Sequence, residues 1–170
     1  MKKAVVVALA LLFLFGALSM SRAQEAAKPA KSEVAMPSAD ADKVSEYMLK
    51  DHPYKKWKLF PGTKKMHKGG DPHGTLLTTY VNHVAMDSIK KKTMFAEGSM
   101  IVKENYTADK KMVALTTMYK VKGFNPDAGD WFWISNAPDG KVQASGKVTA
   151  CIDCHAKAKA TDYVFTKMPK

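Results

Sequence analysis

Cys151, Cys154 and His155 are the residues of this chain whose types and spacing most directly imply chemistry. The 170-residue sequence holds two cysteines, and both sit in Cys151-Ile152-Asp153-Cys154-His155, close to the C-terminus. C-x-x-C-H is the attachment pattern of c-type haem. Two thiols three positions apart on a helical turn can each add to a vinyl group of one haem. The histidine that follows then lies under the ring as axial ligand to iron, its second nitrogen held by a nearby acceptor. A thioredoxin-like C-x-x-C belongs early in a chain, after a first strand. A structural zinc site needs about four ligands, and the sequence has no second C-x-x-C and no H-x-x-x-H. A plain disulfide, as exported proteins use, is the remaining alternative.

The elements that must position this motif are legible in the pattern ahead of it. Val44, Tyr47 and Met48 fall at helical spacing behind Ser38 or Asp40, which predicts a short capped helix over residues 40–50, ended by His52-Pro53. Residues 54–71, with Pro61-Gly62 and Gly69-Gly70, read as loop. Residues 76–82 read as a strand and 84–92 as a helix ending in a basic cluster. Residues 99–106 alternate, with Met100, Val102, Glu104 and Tyr106 on one side and Ile101, Lys103 and Asn105 on the other. A turn at 107–110 leads into a longer strand over 112–122, so the pair reads as a hairpin. Strands over 131–135 and 141–147 follow, and the C-x-x-C-H run lies on a helical segment. The fold class is therefore α+β, a mainly antiparallel sheet with short flanking helices.

The start of the chain carries a targeting signal. Lys2 and Lys3 precede an apolar run from Ala4 to Leu18, and Ser21-Arg22-Ala23 offers a cleavage site. Residues 1–23 are thus predicted to be a signal peptide. The run is short of the roughly 20 residues a spanning helix needs, and an uncleaved anchor is the alternative. Residues 24–38, rich in Ala, Lys, Glu and Pro, read as a flexible linker, and 39–170 as one domain. The mature protein is expected in the periplasm, with no membrane segment. Without Lys2, Lys3 and Arg22 there remain 24 basic against 16 acidic residues, a charge of +8. The lysines are scattered, with no stripe suited to nucleic acid. An acidic redox partner, or simple solubility, suits them better.

Four runs carry a family resemblance: Glu97–Glu104 (EGSMIVKE), Asn125–Trp133 (NPDAGDWFW), Cys151–His155 (CIDCH) and Thr161–Phe165 (TDYVF). From about Tyr80 to the C-terminus the chain resembles the cytochrome P-460 family. The resemblance implies a mainly antiparallel β fold, often dimeric, with one covalent haem c whose sixth iron position is open. In the family's enzymatic members a strand lysine is cross-linked to the haem, and hydroxylamine is oxidised to nitrous oxide by way of NO. The related cytochromes c-prime-beta lack the cross-link and bind NO or CO at an apolar face. Carried over, Cys151 and Cys154 match the thioether cysteines, His155 the iron ligand, and Lys103 the cross-linking lysine. Enzymatic members also place a glutamate on the following strand. Met118 or its neighbours stand there, and no carboxylate occurs between Asp109 and Asp127. Hydroxylamine oxidation, NO or CO binding without turnover, and simple electron carriage all stay open as functions.

Other candidates are weaker. His52, His67, His73 and His83 are possible sixth ligands, but the resemblance argues against one, and His67 and His73 read as loop residues facing solvent. Phe95, Phe124 and Tyr80 are candidates to line an apolar guest face with few donors. Trp131, Phe132 and Trp133 are expected to pack the sheet or the haem edge. Lys90-Lys91-Lys92 reads as a solvated helix end.

Overall fold

The computed structural model describes residues 35–165. The predicted signal peptide and most of the predicted linker lie outside the described residues.

A seven-stranded antiparallel sheet dominates the fold. The strands are β1 (Lys58–Leu59), β2 (His67–Gly70), β3 (Gly74–Val81), β4 (Met100–Tyr106), β5 (Met112–Lys120), β6 (Trp131–Asn136) and β7 (Val142–Gly146). Their order is β1-β3-β4-β5-β6-β7, and β2 shares the outer edge of β3 with β1. Three short helices, α1 (Ala41–Glu46), α2 (His83–Lys91) and α3 (Thr149–His155), flank the sheet. Among the described residues no helix is long and apolar enough to cross a membrane.

Period-2 alternation along β3 to β6 gives the sheet two apolar faces. On one, Val44 and Met48 are fully buried against Met100, Val102, Leu115, Tyr119 and Phe132. Removing such side chains from water is worth about 2 kcal/mol each, which holds the α1 segment down. Asp40 caps α1 by accepting from the Lys43 N–H at 3.0 Å, and the helix widens into a π-helical turn over Tyr47–Asp51. Met36 and Pro37, placed in the linker by composition, belong to this layer. The Tyr119 hydroxyl donates to the Pro37 carbonyl at 2.6 Å, and Met36 packs on the cluster.

The other face holds α2, Phe60, Phe95, Trp131, Trp133, Tyr163 and Val164. Asn82 ties it together. Its Oδ1 accepts from the N–H groups of Ala85 and Met100, capping α2, and its Nδ2 donates to the Gly98 carbonyl. The segment expected to be loop contains β1 and β2. The Gly69-Gly70 pair is strand, because a Cβ on Gly69 would lie 2.1 Å from the Gly74 carbonyl and only glycine lets β2 approach.

Candidate functional site

The sheet carries Lys103 to the site. On the α2 face, register sets Thr79, Lys103, Thr116 and Ser135 side by side across β3, β4, β5 and β6. The adjoining row is Val81, Ile101, Met118 and Trp133. α3 and the chain after it close over these rows. The result is a cavity of about 780 Å³, its open mouth included, lined by Lys103, Cys151, Cys154 and His155 together with His73, Thr79, Thr116, Met118, Trp133 and Phe165.

His155 ends α3 and is 6% exposed. Its Nδ1 donates to the Tyr163 carbonyl at 2.6 Å, while among the described residues no group is bonded to Nε2. Trp133 and Phe165 flank the ring at 4.7 and 5.2 Å between centres. Burial holds the imidazole below its ordinary pKa, the Tyr163 bond opposes this, and Lys103 adds to it. His155 is therefore neutral at pH 7, the form that binds a metal.

Tyr163 is held in place with some backbone strain. It and Asp162 both adopt left-handed φ, 64° and 55°, at roughly 1–2 kcal/mol apiece for residues with a Cβ. Asp162, 1% exposed, offsets that cost. Its carboxylate accepts from Lys120 Nζ at 2.6 Å and from the Phe95 N–H at 2.9 Å, and its carbonyl accepts from Trp131 Nε1 at 2.9 Å. The Asn125–Asp130 turn adds a seat. Gly129 touches the Tyr163 ring, where a Cβ would come within 2.7 Å, and the Tyr163 hydroxyl donates to the Asp127 carbonyl.

Lys103 points into the cavity, and among the described residues no carboxylate pairs with it. Burial lowers its pKa, partly countered by Cys154, so the neutral, nucleophilic amine is more accessible than in water. Cys151 and Cys154 are half-buried and unjoined. Burial, then the neighbouring Cys154, raises the pKa of the Cys151 thiol.

The family follows from a comparison of the whole sequence. A family model for cytochrome P460 matches residues 50–166, more than half of the chain. The chain belongs to the cytochrome P460 family. It is accordingly a haem-binding cytochrome of α+β fold, as its sequence motifs imply. No curated protein matches it. The side chains present suit the cofactor. Two free thiols on one helix and, without a partner among the described residues, His155 Nε2 and the buried Trp133 Nε1 all border the same cavity.

Several expectations are revised. His73, read as a solvent-facing loop residue, is half-buried in the cavity wall. Phe124 and Tyr80 lie on the opposite face, and Phe95 packs on Trp131 outside the lining. The cavity lining is largely apolar, with Thr79, Lys103 and Thr116 as its few donors on the sheet. The anchoring roles of Asp162, Lys120 and the Tyr163 carbonyl gave no local signal beyond the Thr161–Phe165 run. Asp162 and Lys120 find their partners tens of residues away, and the Tyr163 carbonyl meets His155 only because the chain after α3 folds back.

Proposed function

We propose that this protein is a periplasmic cytochrome holding one haem c through Cys151, Cys154 and His155, and that it binds and transforms small nitrogen species, hydroxylamine and NO, on the face opposite His155. The observation that carries this is the convergence of Lys103 with Cys151, Cys154 and His155 on one cavity of one sheet face. Haem iron, when bound, supplies one-electron redox chemistry and a seat for a small guest.

The chain's own residues do the rest. Cys151 and Cys154 fix the ring to α3. The Tyr163 carbonyl fixes the plane of His155 and increases its basicity as a ligand. Lys103, low in pKa and free of a counter-charge, suits bond formation to the ring edge. Thr79 and Thr116 offer hydroxyls to a guest with N–O or N–H bonds. Phe165 and Trp133 limit water around His155. No carboxylate is in the lining among the described residues. That favours a second reading, NO binding without turnover, because hydroxylamine oxidation must shed protons to a base.

The test is the ferrous optical spectrum of protein exported by a host that matures c-type cytochromes, followed by NO titration and a hydroxylamine assay with an artificial electron acceptor. NO should bind at one per haem. Lys103→Arg should change the ferrous spectrum if the lysine is bonded to the ring. A haem protein indifferent to both NO and hydroxylamine would leave electron carriage as its function instead.

A further inference from the structure

Charge is spread unevenly over this protein. Between His52 and Gly70 the chain carries six lysines, Lys55, Lys56, Lys58, Lys64, Lys65 and Lys68, and no carboxylate. Of the 24 basic residues in the predicted mature chain these leave 18, against 16 acidic, so the segment supplies six of the eight net charges. All six lysines are exposed, and among the described residues none is in an ion pair. The fold gathers them in one place. β1 and β2 share the outer edge of β3, and among the described residues their own far edges are unpaired.

This edge is fixed in place and close to the cavity. The Phe60 N–H donates to the Thr79 carbonyl at 2.9 Å, and the Met66 N–H to Thr78 Oγ1 at 3.1 Å. Those two bonds pin both ends of the loop that bears Lys64 and Lys65. Thr79 is the register partner of Lys103, so the edge stands two strand spacings, about 10 Å, from the lysine of the cavity. The β2–β3 turn continues from the edge to the cavity wall, where Pro72 and His73 line it. On the other side of the cavity α3 exposes Asp153 between Lys147 and Lys157, a surface of mixed sign.

Protection of the sheet edge does not account for this many charges. Lysines on an edge strand keep it from pairing with another chain, and Lys58 and Lys68 serve there. The other four stand outside the strands. We propose that β1, β2 and the loop between them form the docking surface for an acidic electron-transfer protein, the acceptor of electrons that leave the cavity. The inference rests on the haem reading above and adds to it the kind of partner and the face it meets. One electron passes at a time: the haem iron goes from ferrous to ferric, the redox centre of the partner gains that electron, and no bond is made or broken. Opposite charge speeds the encounter and orients it. A contact made mainly of exposed charges is small and short-lived, as redox encounters are.

The experiment is stopped-flow oxidation of the ferrous, haem-loaded protein by plastocyanin, an acidic blue-copper protein that accepts one electron. The second-order rate constant should fall about tenfold from low to physiological ionic strength. A variant with Lys64→Glu, Lys65→Glu and Lys68→Glu should lose about tenfold at low ionic strength, with its haem spectrum unchanged. A second variant with Lys43→Glu, Lys50→Glu and Lys141→Glu reverses the same number of charges on the α1 side, and should lose no more than about twofold. Equal losses in the two variants would show net charge acting alone and would overturn the inference. So would a wild-type rate indifferent to salt, which needs no variant at all. Sedimentation with phosphatidylglycerol vesicles is the remaining arm. Vesicle binding that the first variant loses, while its plastocyanin rate holds, would assign the edge to an anionic lipid surface instead. Each of these failures is read on coloured protein and leaves the haem reading intact. Colourless protein with the mass of the bare chain would overturn both.

Discussion

Lys103 and Glu104 are neighbours on β4, and the two faces of the sheet treat their charges in opposite ways. Glu104 points to the α1 side and is 4% exposed. Tyr54 and Tyr106 donate their hydroxyls to its two carboxylate oxygens at 2.9 and 2.8 Å. Burial, and then the carboxylate, hold both phenols well above the ordinary tyrosine pKa, so they remain donors throughout the physiological range. Lys103 points to the α2 side and has no counter-charge among the described residues. One face spends its polar groups on each other, as a structural core does. The other leaves an amine, two thiols, an imidazole nitrogen and an indole N–H without protein partners among the described residues, all around one cavity. That is where a cofactor and its chemistry belong.

The contrast can be broken by substitution. The largest effect is expected at Asp162, whose carboxylate pairs with Lys120 on the cavity side. Asp162→Ala strands Lys120 and the Phe95 N–H, and should cost about 3–5 kcal/mol in urea unfolding. It should also disturb the iron–His155 stretching vibration, since Tyr163 loses its anchor. Glu104→Ala comes next. It leaves the buried Tyr54 hydroxyl and the half-buried Tyr106 hydroxyl without their acceptor, at about 1–3 kcal/mol for a buried one, and should lower stability by about 3 kcal/mol without altering the haem spectrum. A spectral change in Glu104→Ala would show that the faces are not independent.

The third effect is on acid stability. Burial first, then Lys103 and His155, lower the pKa of His73 from 6.5 to about 4. Between those values the unfolded chain binds the proton and the folded chain does not. Stability is therefore complete above pH 6.5 and falls as the pH drops toward 4. His73→Asn should flatten that fall by about 2 kcal/mol, measured as unfolding free energy against pH. The smallest effect is Lys103→Met, which should stabilise the protein by about 1 kcal/mol at neutral pH, as apolar replacement of a buried charge often does. Because the folded pKa of Lys103 lies below 10.5, wild-type stability should rise as pH climbs from that folded value to 10.5. The Met variant should lack the rise. A loss of stability in Lys103→Met would reveal a partner for the amine and remove the contrast with Glu104.

Much of this arrangement was legible in the sequence because it is local. The alternation of residues 99–106 placed Lys103 and Glu104 on opposite faces, and both β4 and its register bear that out. The C-x-x-C-H spacing matched the helix α3 that carries it. What stayed hidden depends on chain segments meeting from afar. The Gly69-Gly70 pair signals a turn by type but is strand by contact, since the missing Cβ admits the Gly74 carbonyl. His73 looks like a loop residue until β2 and β3 fold its turn over β4. Phe124 and Tyr80 are aromatic enough for a cofactor wall, yet strand parity puts them on the α1 side. Asp162 is one acidic residue among 16, and nothing nearby in the chain announces Lys120 or the Phe95 N–H as its partners.

The most direct measurement of the central claim is the intact mass, under denaturing conditions, of protein exported from a host that matures c-type haem, taken together with its visible spectrum. The expected result is a coloured chain heavier by one haem that survives denaturation, and a bare, colourless chain for Cys151→Ala with Cys154→Ala. Wild-type protein with no added mass, or haem that dissociates on denaturation, would contradict the assignment of Cys151 and Cys154 as its covalent anchors.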